Sequence, residues 1–171
     1  MKKLSIILII FSVLILDHKA YAARAVADIK GTAPDSKISG KVDFEDSAEG
    51  LKIKAELMNV PAGKHGFHIH ENGSCADTGK AAGGHFNPDG VNHGLLSKDG
   101  YSHSHAGDLG NIEAAADGTG KLETILPHAS LSGKYNLIGR SVILHEKEDD
   151  FSQPTGNAGS RIGCGVIQSQ T

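Results

Sequence analysis

Apolar and polar residues alternate along most of the chain beyond residue 23, the pattern of strands buried on one face. Ile38, Gly40, Val42 and Phe44 share one parity. Leu51, Ile53, Ala55 and Leu57 repeat the pattern beyond the turn-like residues 45–50, which predicts a hairpin. Further strands are expected over residues 24–30, 64–70, 111–116, 121–126, 141–145 and 163–168, with a second tight turn at Asp117-Gly118-Thr119-Gly120. No long apolar stripe at helical spacing competes with this reading. Eight short strands punctuated by turns predict an all-β domain, an antiparallel barrel or sandwich.

Two stretches break the spacing, residues 71–110 and 146–162, both rich in Gly, Asn and Asp. Long irregular segments in a compact domain are usually functional. The first follows His68-Ile69-His70, whose imidazoles share one strand face while Phe67 and Ile69 share the other. It then contributes His85, His93, His103, His105 and Asp108, and His145 follows at the end of a later strand. Imidazole suits zinc and copper, and an added carboxylate tilts a site toward zinc. His65 and His128 are expected to be structural or solvated. His103 is expected to be the same, although it lies close enough to His105 to compete for an ion.

Composition adds the compartment. Lys2 and Lys3 precede an apolar run over residues 4–16, too short to span a bilayer, and Ala20-Tyr21-Ala22 supplies a small-residue cleavage site. Residues 1–22 therefore read as a signal peptide, leaving 23–171 as one domain of ordinary size. Removing Lys2, Lys3, Lys19 and Asp17 takes the formal charge from −3 to −5. Mild acidity without basic clusters argues against nucleic-acid or membrane-surface binding. Cys75 and Cys164, the only two cysteines, read as one disulfide in an oxidising compartment. Isolated and far apart in sequence, they make a poor metal pair. Bridged, they would pin the long loop to the last strand.

The motifs, taken in order, resemble those of copper/zinc superoxide dismutases, and of the exported bacterial type in particular. His65-Gly66-Phe67-His68-Ile69-His70-Glu71, Gly84-His85-Phe86-Asn87-Pro88 and His105-Ala106-Gly107-Asp108-Leu109-Gly110 carry the first part of the resemblance. His145-Glu146-Lys147-Glu148-Asp149-Asp150, Gly156-Asn157-Ala158-Gly159-Ser160-Arg161 and Cys164-Gly165-Val166-Ile167 complete it. The ordered series spans nearly the whole exported part. It implies an eight-stranded Greek-key barrel or sandwich of immunoglobulin-like architecture with two long functional loops.

The resemblance also implies a division of labour. Each subunit would hold one copper, on His68, His70, His85 and His145, and one zinc, on His85, His93, His105 and Asp108. His85 would serve both ions. Asp149 would orient a copper histidine and a zinc histidine through hydrogen bonds. Arg161 would attract and orient the superoxide anion, with Thr155 on the opposite wall of the channel. The implied reaction converts two superoxide anions to dioxygen and hydrogen peroxide, in the periplasm or outside the cell. The family contains monomers and dimers, so a homodimer is one expectation. Only Phe151-Ser152-Gln153-Pro154 separate Asp150 from Thr155, where eukaryotic members carry a longer charged loop, so long-range steering would fall to lysines such as Lys64, Lys80 or Lys147. A non-catalytic copper or zinc buffer or chaperone on the same fold is the alternative.

Overall fold

The computed structural model describes residues 22–170. The leader expected over residues 1–22 lies outside these residues, apart from Ala22. The alternating segments form β1 (Arg24–Gly31), β2 (Ser39–Ser47), β3 (Gly50–Met58), β4 (Gly63–His70), β5 (Asp108–Ala114), β6 (Gly120–Leu126), β7 (Ser141–His145) and β8 (Arg161–Gln170). All neighbouring strands pair antiparallel, and the sheet closes in the order β1-β2-β3-β6-β5-β4-β7-β8. Closure leaves no free sheet edge. Two connections, β3 to β4 and β6 to β7, join strands that are not neighbours in the sheet and give the Greek-key character.

The barrel interior takes one parity of each strand. Ala25, Ala27 and Ile29 of β1, Val42 and Phe44 of β2, and Leu51, Ile53, Ala55 and Leu57 of β3 are all buried in one cluster with Phe67, Ile69, Ile112, Val142 and Leu144. Full burial of a Leu, Ile or Phe side chain stabilises by about 1.5–3 kcal/mol, so this interior is the main source of fold stability. β3 alternates strictly between buried and exposed positions. In β7 every residue is buried, and β4 is buried throughout from His65 to His70. Water is excluded from both faces there because the two long loops cover the outside of the barrel.

Strand ends differ from the sequence expectation in informative places. The β2–β3 turn is tighter than residues 45–50, because Ser47 pairs directly with Gly50. Asp46 stays in the strand, where its carboxylate accepts the Leu131 N–H at 2.8 Å and the Ser130 hydroxyl at 3.0 Å. Those donors belong to residues 127–140, a crossover between β6 and β7 that alternation did not single out. β5 begins at Asp108 rather than 111, and β8 at Arg161 rather than 163. Both early starts deliver a polar residue to the loop-covered side. The sulfurs of Cys75 and Cys164 are bonded at 2.00 Å, joining the first long loop to β8 as expected.

Candidate metal centre

Three cross-strand pairings assemble the polar residues of the covered face. His68 of β4 stands opposite Asp108 of β5, just past a register shift after Gly66. His145 of β7 stands opposite Arg161 of β8, again just past a register shift, after Leu144. His70 forms an isolated antiparallel bridge with His85. Bulges bend a strand and re-aim its side chains, and here each one falls beside the residues in question. The loop segment carrying His85 is stitched to β4 through backbone bonds from Phe86 N–H to the Ile69 carbonyl (2.9 Å), Ile69 N–H to the Gly107 carbonyl (2.8 Å) and Gly107 N–H to the Phe86 carbonyl (2.9 Å). A Cβ at Gly107 would lie 2.2 Å from the Ile69 carbonyl oxygen, so only glycine permits this approach.

Two sets of donor atoms result, each gathered within 4.8 Å: His68, His70, His85 and His145 in one, and His85, His93, His105 and Asp108 in the other. All of these residues are buried. Hydrogen bonds fix which ring nitrogen faces inward, because a carbonyl or carboxylate accepts and the nitrogen it faces must carry the proton. His68 donates from Nε2 to Asp149 Oδ2 at 2.8 Å, which leaves Nδ1 as a bare lone pair. His70 donates from Nδ1 to the Gly83 carbonyl at 2.9 Å and His145 from Nδ1 to the Gly159 carbonyl at 3.2 Å. Their bare Nε2 atoms face each other at 3.3 Å. His68 Nδ1 is buried without a hydrogen-bond partner. Converging lone pairs in a buried space call for a cation between them.

The second set has the same character with a carboxylate added. His93 donates from Nε2 to Asp149 Oδ1 at 2.9 Å, so Nδ1 is the nitrogen that faces Asp108 Oδ2, at 2.9 Å. That approach has the length of an ion pair but not the alignment of a hydrogen bond, and Nδ1 is counted among the buried atoms without a partner. Asp108 Oδ1 lies 2.8 Å from His85 Nδ1 and 3.1 Å from His105 Nδ1. Its other oxygen accepts the backbone N–H groups of Gly94 (3.0 Å) and His105 (2.9 Å). His85 therefore faces the second set with Nδ1 and leaves Nε2 for the first. The donor chemistry fits copper in the all-imidazole set and zinc in the set with a carboxylate.

Electrostatics separates the two sets. Burial pushes His70 down to about 2, and adds to the neighbouring rings and Arg161 in pushing His145 down to about 3. Burial also lowers His85 to about 4, against the opposing pull of Asp108. These rings stay neutral and available as ligands. At His93 burial is outweighed by the neighbouring carboxylates of Asp108 and Asp149, which raise it to about 9. The two carboxylates thus favour a cation at His93, in the metal-free protein a proton that an entering metal would displace. Burial would raise both carboxyls, but the histidine partners hold Asp108 and Asp149 well below the usual carboxylate range.

A family model described as copper/zinc superoxide dismutase (SODC) matches residues 38–167. The chain belongs to the copper/zinc superoxide dismutase family. It is 43% identical over 160 residues to a Caenorhabditis elegans protein named extracellular superoxide dismutase [Cu-Zn], covering 90% of this chain and 69% of that one. A Drosophila melanogaster protein of the same name is 40% identical over 157 residues, with 84% of each chain covered. A solved structure described as the clock protein EA4 superimposes with a TM-score of 0.77 at 32% identity, covering 90% of this chain and 99% of that one. In this dismutase-family chain, all the residues expected at the two ions lie in the two donor sets, with His85 in both. His103 is exposed and outside them, and His128 is exposed as well. His65 is buried, bonded to the His145 and Pro61 carbonyls at 2.9 and 2.8 Å.

Arg161 is half-buried beside the first set. Its guanidinium donates to the carbonyls of Gly79 (2.6 Å), Lys80 (3.3 Å) and Gly83 (2.5 Å), the last being the same oxygen that accepts from His70. Among the described residues it pairs with no carboxylate. The 79–83 segment is anchored through the nearby Cys75–Cys164 bridge. Thr155 is exposed on the turn of residues 153–157. Sequence reasoning missed Asn111, whose side-chain amide accepts the Asp149 N–H at 2.7 Å and donates to the Asp149 carbonyl at 2.9 Å. The sequence pattern places Asn111 at the start of a strand over 111–116, and nothing in that pattern points to the backbone of Asp149.

Proposed function

We propose that this chain is an exported superoxide dismutase, with copper on His68, His70, His85 and His145 and zinc on His85, His93, His105 and Asp108. The observation that carries the reading is His85, which belongs to both buried donor sets and turns Nδ1 to Asp108, leaving Nε2 for the other set. Copper, when bound, supplies the one-electron redox cycling that turns two superoxide anions and two protons into dioxygen and hydrogen peroxide. The protein supplies the rest by preorganised charge and positioned hydrogen bonds. Arg161, held by three carbonyls and free of a carboxylate, attracts the anion toward the first set. His85 Nε2 is the atom that takes up and releases a proton between half-reactions. Asp149 holds the His68 and His93 rings by Nε2, in orientations that turn Nδ1 toward the donor sets. Thr155 flanks the approach to Arg161 and limits its width.

Export is supported by the relatives named extracellular and by the oxidised cysteine pair. The periplasm is the finer reading, and it rests on the leader-like residues 1–22. A homodimer belongs to the same tier of proposal. Of the three lysines considered for steering, Lys64 is paired with Glu148 at 3.2 Å, whereas the Lys80 carbonyl touches Arg161, which favours Lys80. The test is superoxide decay followed with protein loaded with both metals, with zinc alone, and metal-free. Activity that requires copper supports the dismutase. Full metal loading with no acceleration of decay would instead support a copper or zinc buffer on this fold.

A further inference from the structure

The two loops that enclose the centre meet at Gln153. Its side-chain Oε1 accepts the His93 backbone N–H at 3.0 Å, and its Nε2 donates to the His93 carbonyl at 2.8 Å. One amide thus takes both main-chain polar groups of a single residue, as a neighbouring strand would. The need for it is local. His85 is bridged to His70 of β4, Asp108 opens β5, and His105 is tied to Asp108 by turn bonds. His93 lies in no strand, helix or turn, and among the described residues its main chain makes hydrogen bonds only with Gln153.

The same short segment also holds the ring. Asp149 accepts from His93 Nε2, the Phe151 N–H donates to Asp149 Oδ1 at 2.8 Å, and the Phe151 ring lies within 19° of parallel to the His93 ring. Asn111 makes the identical two-bond amide clamp on the backbone of Asp149. The ring of His93 is therefore referenced to β5 through Asp149 and Asn111, while its backbone is referenced to the 146–160 loop through Gln153.

We propose that Gln153 is a positioning residue for the zinc ligand His93, fixing its main chain so that Nδ1 stays aimed at Asp108, His85 and His105. This rests on the zinc reading of that donor set. Partners that orient metal ligands typically change metal affinity by about 10–100-fold, and an amide at the protein surface belongs at the lower end. The test uses Gln153→Ala and the equal-sized Gln153→Glu, which keeps the acceptor for the His93 N–H but sets a carboxylate against its carbonyl. Zinc and copper affinities are measured by chelator competition, and cobalt(II) substituted for zinc reports ligand geometry through its visible absorption bands.

Both variants are expected to bind zinc about tenfold more weakly with altered cobalt bands, while copper affinity stays within about twofold. Unchanged zinc affinity with superimposable cobalt spectra would overturn the proposal. So would equal losses for zinc and copper, which mark general loosening of the fold. If Gln153→Ala fails to fold, Gln153→Glu alone carries the same two outcomes. An unsubstituted protein that takes up no zinc overturns the ligand reading itself, which separates that failure from failure of the clamp.

Discussion

Replacing Asp149 by Asn changes one buried oxygen into an N–H donor and removes one charge. The carboxylate receives His68 Nε2–H at 2.8 Å, His93 Nε2–H at 2.9 and 3.0 Å, and the Phe151 N–H at 2.8 Å, and its side chain is completely buried. An amide has one acceptor oxygen, so one imidazole faces a donor and loses its fixed tautomer. His68 sits in β4 and is held in place by the sheet, whereas the ring of loop-borne His93 depends on Asp149. The greater loss therefore falls on zinc. Loss of an outer partner of this kind costs about 10–100-fold in affinity, or ~1.4–2.7 kcal/mol. The assay is chelator competition on metal-free Asp149→Asn, one metal at a time, with thermal unfolding as a check on the fold. Zinc binding equal to that of the unsubstituted protein, or a copper loss exceeding the zinc loss in a folded variant, would refute the reasoning.

Arg161→Ala should slow superoxide decay and weaken inhibition by small anions while metal content stays the same; unaltered kinetics with both metals bound would remove its role. Converting Cys75 and Cys164 to Ser opens a loop with a sequence separation of 89, and chain entropy puts the cost at about 4–5 kcal/mol as an upper figure, read as a drop in melting temperature. Acid should destabilise the metal-free protein. His70, His145 and His85 are lowered to about 2, 3 and 4 in the folded state, so their stabilisation is complete above the unfolded value near 6.5 and is lost as pH falls toward the folded values. His93, raised to about 9, acts oppositely, losing its contribution as pH rises through that value. The unfolding free energy from urea titrations should fall between pH 7 and pH 5, by up to about 2 kcal/mol per lowered ring, and a value that holds or rises would contradict the burial argument. Gly156→Ala should disrupt the centre, because a Cβ there would lie 1.7 Å from Asp149 Oδ1 and 2.8 Å from His93 Nε2; full zinc affinity in that variant would show that the two loops tolerate separation.

Strands were legible because alternation records a barrel buried on one face, and β3 follows it without exception. The ligand series was legible because His-x-His on a strand is a local pattern and the later motifs are short and ordered. What escaped is non-local. Nothing near Asp108 in sequence says that it pairs with His68, and this pairing extends β5 three residues toward the loop. Asp46 looks like a turn residue, yet donors from the 127–140 crossover keep it in a strand. Asn111 and Gln153 are ordinary polar residues until the fold sets each beside the backbone of another chain segment. The ambiguity between His103 and His105 likewise turned on loop path, since the two are close in sequence and only His105 faces the donor sets.

The account rests on one imidazole serving two different ions. Anomalous scattering from crystals of the metal-loaded protein, recorded on either side of the copper and zinc absorption edges, locates each metal separately. The predicted result is copper among His68, His70, His85 and His145, zinc among His85, His93, His105 and Asp108, and His85 between them. Both metals in one set, or an ion held by the third group of close donors, His68, His93 and Asp149, would contradict it.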